Sequence, residues 1–233
     1  MKTYLEPEDL EKLEQATTYV RDRLLVRILA HLGCRISEAL AITVDDIDFP
    51  NKTIRIQHLK DRLHLTCPEC NARLARASVF CPKCGTKVEK ALAKKIEQRK
   101  MRILPIDQET LKLLKTYIDA GQTVLRDGKL YIFDIKRGRA WQIISETAQK
   151  VGLEGLINPQ TGKMKGVSPH RLRDAFATMA AKTDDSMEGQ KQLQEHLGHA
   201  SFNTTAKYWK LAGEQQRDWY DKLFNGNNKK QAN

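Results

Sequence analysis

The sequence predicts an α+β fold, mainly helical, with a small antiparallel β-hairpin opened by an insertion. Three observations predict it. Apolar residues recur at helical spacing in most segments, most clearly at Leu24, Leu25, Ile28, Leu29 and Leu32. Two alternating stretches, Thr53–Leu59 and Met101–Ile106, read as partner strands although residues 60–100 separate them. Inside that separation stand two matching knuckles, Cys67-Pro68-Glu69-Cys70 and Cys81-Pro82-Lys83-Cys84.

Each element has a local cause. Thr3 and Glu6, followed by Pro7, read as a capping box opening a helix whose buried face carries Leu10, Leu13 and Ala16. A second helix is expected over Tyr19–Leu32, and Gly33 can end it. A third begins near Ile36, which places Arg35 at a helix–helix junction. Asp46–Phe49 reads as a short strand, and Pro50-Asn51-Lys52 turns the chain into Thr53–Leu59, which leads to Lys60. Helices are expected at Gln108–Ala120 and Ala140–Val151. The Gly-, Asn- and Pro-rich stretch Glu154–Gly166 reads as a loop. Four more helices follow, at His170–Ala181, Glu188–Leu197, Asn203–Leu211 and Glu214–Phe224. The polar residues 225–233 are expected to be a disordered tail.

Composition narrows the class. Hydrophobic residues make up 40% of the 233, enough for one core. No run of about 18 apolar residues is present, so no transmembrane helix is expected. The acidic, helical N-terminus does not read as a signal peptide, which leads to the expectation of a cytoplasmic, nucleoid-associated protein. The formal charge is +11, and residues 60–102 alone net +8. A local basic block is either an electrostatic footprint for nucleic acid or a solvated lysine-rich face.

The four knuckle cysteines have metal-ligand spacing. Two residues between paired cysteines let each pair grip one ion, and two pairs complete a tetrahedral Zn²⁺ site at Cys67, Cys70, Cys81 and Cys84. Disulfides and a redox pair are the alternatives; the first do not suit an intracellular protein, the second does not explain duplicated Pro-bearing knuckles. Four thiolates leave no open coordination position, so the zinc would be structural. Residues 61–99 thus read as a zinc-ribbon module, and Cys34, apart from the four, as a small core residue.

A second constellation is polar where packing does not require it. It comprises Arg35 in Gly33-Cys34-Arg35-Ile36-Ser37-Glu38, His170 and Arg173 three apart, His199 in Leu197-Gly198-His199, and Tyr208 nine residues later. Arginine forks grip phosphate oxygens, histidine moves protons near neutrality, and tyrosine serves as a covalent nucleophile. In these blocks, and in their order, the chain resembles the tyrosine recombinase and phage integrase family, from about Leu5 to about Phe224.

The resemblance implies a tyrosine recombinase catalytic-domain fold over residues 1–233, with the zinc ribbon inserted in the hairpin turn. It implies a site-specific DNA recombinase or integrase, on a mobile element or a host chromosome. Tyr208 would attack the scissile phosphate to give a 3′-phosphotyrosyl link. Arg35 and Arg173 would clamp the phosphate oxygens, and His199 would add a hydrogen bond. His170 would take the phenol proton, since a phenol of pKa about 10 is only about one-thousandth ionised at neutral pH. The family's hairpin lysine, which protonates the leaving 5′-oxygen, would be Lys60, with Lys95 and Lys100 as alternatives. The implied partners are double-stranded DNA and further copies in a tetrameric synapse; Trp219, Leu223 and Phe224 lie on one helix face, which either packs on its own domain or, as the resemblance favours, docks on a neighbouring protomer. Neither ATP nor catalytic Mg²⁺ is implied. The family's usual N-terminal DNA-clamping domain is not in this sequence. Two other readings share these residues: a non-catalytic DNA-binding protein derived from a recombinase, and a type IB topoisomerase-like enzyme.

Overall fold

Helix α1 (Pro7–Gln15) starts where proline fixes the first helical φ. Its N-cap is Glu6, whose backbone N–H donates to Asp9 at 3.0 Å. The capping pair is therefore Glu6 and Asp9 rather than Thr3 and Glu6, because Pro7 occupies the first turn and sets the cap one residue before itself. The computed structural model describes residues 2–57, 62–75, 78–88, 92–96, 101–153, 155–157 and 161–211. Lys60 and Lys100, the expected helix at 214–224 with its Trp219, Leu223 and Phe224, and the tail at 225–233 lie outside the described residues.

The chain divides into two compact units, residues 1–56 with 102–233, and residues 57–101. In the larger unit, α2 (Val20–His31) is the central helix and packs against α1, α4 (Gln108–Asp119), α5 (Arg137–Lys150) and α6 (Pro169–Thr183). Leu24, Leu25, Val26, Ile28, Leu29 and Ala30 are all fully buried, the all-round apolar pattern of a helix enclosed by others. Its one deep cation, Arg27, is matched by Glu14 and Asp107, each at 2.9 Å, and by Thr110 at 2.8 Å. Glu109 adds a fourth partner at 2.9 Å, and a buried charge so matched does not carry the penalty of an unpaired one.

Gly33 follows α2 with φ +56, and a Cβ there would strike the Phe176 ring. Glycine is required on both counts. The next helix, α3 (Ile36–Ala39), is a single turn capped at Arg35. A 3₁₀ turn at Val44–Asp46 then leads to β1 (Ile47–Asp48), which is shorter than the expected Asp46–Phe49. β1 pairs with β2 (Thr53–Gln57), and β6 (Met101–Pro105) completes the sheet in the order β1-β2-β6. Ile54 and Ile56 are buried while Arg55 faces out. The expected pairing of the two distant strands is present.

In the smaller unit β3 (Arg62–Thr66) lies between β4 (Arg73–Leu74) and β5 (Leu92–Ile96), antiparallel to both. Cys67, Leu74 and Cys81 are its buried centre.

Two hairpins occur where none was expected. β7 (Val124–Arg126) and β8 (Lys129–Tyr131) turn on Asp127-Gly128, both at positive φ. This is an Asp-Gly hairpin signal that the sequence displays openly. Within the stretch expected as loop, β9 (Leu156–Ile157) pairs with β10 (Met164–Lys165). Strands of two residues leave no periodicity to read. The remaining helices, α6, α7 (Met187–Leu197) and α8 (Phe202–Leu211), pack on one another around Ala177, Ala181, Leu193, Leu197 and Tyr208.

Candidate active site

Arg173 lies on α6 with a side chain that is almost entirely enclosed, 2% exposed. Its Nη1 donates to Gly33 O at 2.7 Å and its Nη2 to Leu197 O at 2.8 Å. One guanidinium thus ties the first motif block to the third. Nη2 also lies 3.0 Å from His199 Nε2. A guanidinium can only donate, so His199 Nε2 accepts and the ring proton sits on Nδ1, which faces Thr205 Oγ1 at 2.8 Å. Burial, with the charges of Arg173 and Arg35, pushes His199 down to about 4. These surroundings favour the neutral form of His199, with Nε2 towards Arg173.

Arg35 Nη1 pairs with Glu38 at 2.9 Å, and the Arg35 backbone N–H donates to the same carboxylate at 2.9 Å. Glu38 is 2% exposed. Its second cation is Arg102, whose Nη2 is at 2.8 Å while Nη1 donates to His196 O at 2.8 Å. Sequence reading missed Arg102, which sits on β6 and looks like any strand residue until the fold brings α7 to it. Arg102 also explains the glycine of Leu197-Gly198-His199. Gly198 ends α7 at φ +64, and a Cβ would lie 2.5 Å from Arg102 Nη1.

Tyr208 lies on α8 and is 1% exposed. Its ring runs nearly parallel to His199, with centroids 6.4 Å apart. The phenol donates to Asp174 Oδ1 at 2.9 Å. Burial, then the charge of Asp174, raises the phenol above its ordinary 10, while Arg173 and Arg35 pull it back. Around the same carboxylate stand Arg171 at 3.5 Å, Lys207 at 3.8 Å and His170 at 3.8 Å. His170 is exposed, and the carboxylate beside Tyr208 belongs to Asp174, a residue the sequence reading passed over. Its only sequence signal is its place immediately after Arg173.

The fold therefore gathers Arg35, His170, Arg173, His199 and Tyr208 from α3, α6, α8 and the end of α7. Cys34, by contrast, is buried core, its thiol pushed up to about 12 by burial.

In the smaller unit, the Sγ atoms of Cys67, Cys70, Cys81 and Cys84 all lie within 4.8 Å of one another. Cys67 and Cys84 are 3.7 Å apart, and Cys70 and Cys81 3.5 Å. These are free thiols, far outside disulfide bonding distance. A tetrahedron with metal–sulfur bonds of about 2.3 Å has edges of about 3.8 Å, so the four sulfurs fit one ion. Each knuckle closes on a residue at positive φ, Asn71 at 53° and Gly85 at 74°. Thr86, hydrogen-bonded to Cys84, holds that thiol down to about 6. The N–H groups of Cys84 and Lys83 lower Cys81. Cys70, although it has the Ala72 N–H, is pushed up to about 12 by burial and its three sulfur neighbours. Four adjacent thiolates repel one another unless a cation sits among them.

A helical frame with two arginines and a histidine beside a buried tyrosine defines a class that known proteins share. The chain matches the phage integrase family over residues 3–215 and belongs to that family. Tyrosine recombinase XerA of Saccharolobus solfataricus is 25% identical over 226 residues, covering 97% of this chain and 58% of the relative. A crystal structure of XerA recombinase superposes with a TM-score of 0.64 at 22% identity, over 96% of this chain and 64% of that one. XerH site-specific recombinase, solved bound to a palindromic difH substrate as a post-cleavage complex, gives 0.62 at 19% identity, over 94% and 52%. The chain spans about half the length of the curated relatives it matches.

Proposed function

We propose that this chain is the DNA-cleaving and rejoining part of a site-specific recombinase or integrase, acting through a 3′-phosphotyrosyl intermediate on Tyr208. The observation that carries this reading is the convergence of Arg35, Arg173, His199 and Tyr208 from separate helices. In the proposed step the Tyr208 oxygen bonds to phosphorus and the bond to the 5′-oxygen breaks. His170, exposed next to Asp174, takes the phenol proton. Arg35 and Arg173 stabilise charge on the non-bridging oxygens, with His199 setting the Arg173 fork. The 5′-oxygen takes its proton from Lys60. Energy is retained in the phosphotyrosyl bond, so rejoining needs no nucleotide.

Zinc is the proposed ion at Cys67, Cys70, Cys81 and Cys84. It would supply folding energy to the smaller unit, whose apolar centre among the described residues is Cys67, Leu74 and Cys81, and no chemistry. Double-stranded DNA is the proposed partner, with self-association into a tetrameric synapse, in a cytoplasmic, nucleoid-associated setting. Among the described residues no helix is long and apolar enough to cross a membrane.

The test is a nicked suicide duplex carrying the target site. Wild-type protein should form a covalent adduct, and Tyr208→Phe should form none while binding the same DNA within about twofold, since only a transition-state interaction is removed. An undiminished adduct in Tyr208→Phe refutes the assignment. Strand exchange between two duplexes separates recombinase from topoisomerase-like relaxation.

A further inference from the structure

The Tyr208 hydroxyl donates a hydrogen bond to Asp174 Oδ1 at 2.9 Å while only 1% exposed. An attacking phenol needs the opposite surroundings. It must face a phosphate and lose its proton, and a fixed negative charge beside it disfavours the phenolate. Nor can Asp174 serve as the final proton acceptor. A carboxylate is a far weaker base than a phenolate, so that transfer is strongly uphill. The hydrogen bond therefore keeps the proton on Tyr208.

Asp174 is 9% exposed, so losing the phenol would strand a carboxylate unless other partners stood ready. They do. His170 and Arg171 from α6 and Lys207 from α8 lie between 3.5 and 3.8 Å away, close enough to attract but beyond hydrogen-bond optimum. Lys207 also lies over the Tyr208 ring at 4.6 Å. The charges of Arg173 and Arg35 also act on the phenol, and the His199 ring runs nearly parallel to the Tyr208 ring with centroids 6.4 Å apart.

We infer that Asp174 is a positioning residue that holds Tyr208 withdrawn from the phosphate clamp and passes its charge to His170, Arg171 and Lys207 when the phenol is released. This rests on Tyr208 being the nucleophile. Attack then requires the phenol to exchange Asp174 for the scissile phosphate, and the hold makes that exchange a step in its own right.

Two measurements test it, and one needs no catalysis. Tetranitromethane nitrates accessible, ionised tyrosines, and peptide mapping locates the product. Wild-type Tyr208 should resist nitration. Asp174→Asn should nitrate there about tenfold faster or more, the population change from losing a charge-assisted hydrogen bond. Tyr117, 4% exposed in the main core, is the internal control and should stay protected in both. If Tyr117 becomes reactive the variant has loosened, and Asp174→Ser takes its place in the same assay. An unchanged Tyr208 rate in a folded variant overturns the hold. In the second measurement, single-turnover adduct formation at saturating DNA, Asp174→Asn should be faster than wild type. The rising limb of its pH profile should shift to lower pH, with half-saturating DNA unchanged. A slower variant means that Asp174 assists attack, which overturns the proposal. Failure of wild type to form any adduct removes the nucleophile reading instead, while nitration still decides whether Asp174 holds Tyr208.

Discussion

Arg173 carries two tasks that a lysine cannot combine. Its fork spans Gly33 O and Leu197 O, and it also points at His199. Arg173→Lys keeps a charge but strands at least one buried carbonyl, at about 1–3 kcal/mol. Adduct formation should slow by about a hundredfold or more, the loss seen when one donor to a developing charge is removed. A thermal melt beside the cleavage assay separates the two effects; equal losses in binding and cleavage would make Arg173 only an anchor. His199 supplies a pH signature. Its folded pKa of about 4 lies below its ordinary 6.5, so between those values the unfolded chain binds more protons. Stability contributed by neutral His199 is thus intact above pH 6.5 and lost as pH falls towards 4. His196, lowered by burial, works in the same direction. Melting temperature should fall less steeply over this window in His199→Gln than in wild type. Parallel slopes would mean that His199 is not held neutral. The sequence singled out Arg35, His170, Arg173, His199 and Tyr208 through the order of their motif blocks, and the proposed site is built on them. Asp174 and Arg102 were not legible there, because their roles exist only where α6 meets α8 and β6 meets α7.

At the scale of elements, legibility followed local chemistry. The knuckles could be read because a Cys-x-x-Cys pair needs nothing beyond its own turn to make a two-sulfur grip. The helix ends are similar: Ser186 caps α7 through the Gly189 N–H, and Gly198 closes it. The capping pair of α1 was placed one turn too early, and the β7–β8 and β9–β10 hairpins were passed over. For the short strands the pairing energy comes from a partner strand, which local pattern does not report. The smaller unit makes a direct prediction. It should bind one zinc ion per chain, and removing the ion with a chelator should expose residues 57–101 to protease while the larger unit keeps its melt. Apparent binding energies of about 10 kcal/mol or more for structural zinc make this loss decisive for so small a core. Replacement of Cys70 by Ser should act as the chelator does. Retained protease resistance in the metal-free protein would show that the strands alone suffice.

For the whole molecule, charge distribution is the broadest signal. The segment 60–102 carries +8 of the total +11, and Arg73, Lys83 and Lys87 are exposed on the smaller unit. If these side chains bind DNA phosphates, neutralising all three should weaken binding on every sequence alike. The slope of log affinity against log salt should flatten by roughly 0.9 for each phosphate that is no longer neutralised. An untouched slope assigns the charge to solvation and directs the search to a protein partner. The same titration with Arg35→Ala separates phosphate anchoring in the larger unit from that in the smaller.

What the sequence determined by itself was everything encoded by spacing along the chain. That includes the helical frame, the two strands recognised across a long insertion, the four paired cysteines, and the ordered set from Arg35 to Tyr208. Tertiary structure alone decided how those side chains are occupied. It showed that Arg173 is braced by two backbone carbonyls, that His199 Nε2 lies 3.0 Å from it, and that Tyr208 is hydrogen-bonded to Asp174. The physical reason is that residue type fixes which bonds a group can make. Which bond it does make depends on burial and on the nearest charge, and both are set by helices that meet only when the chain has folded.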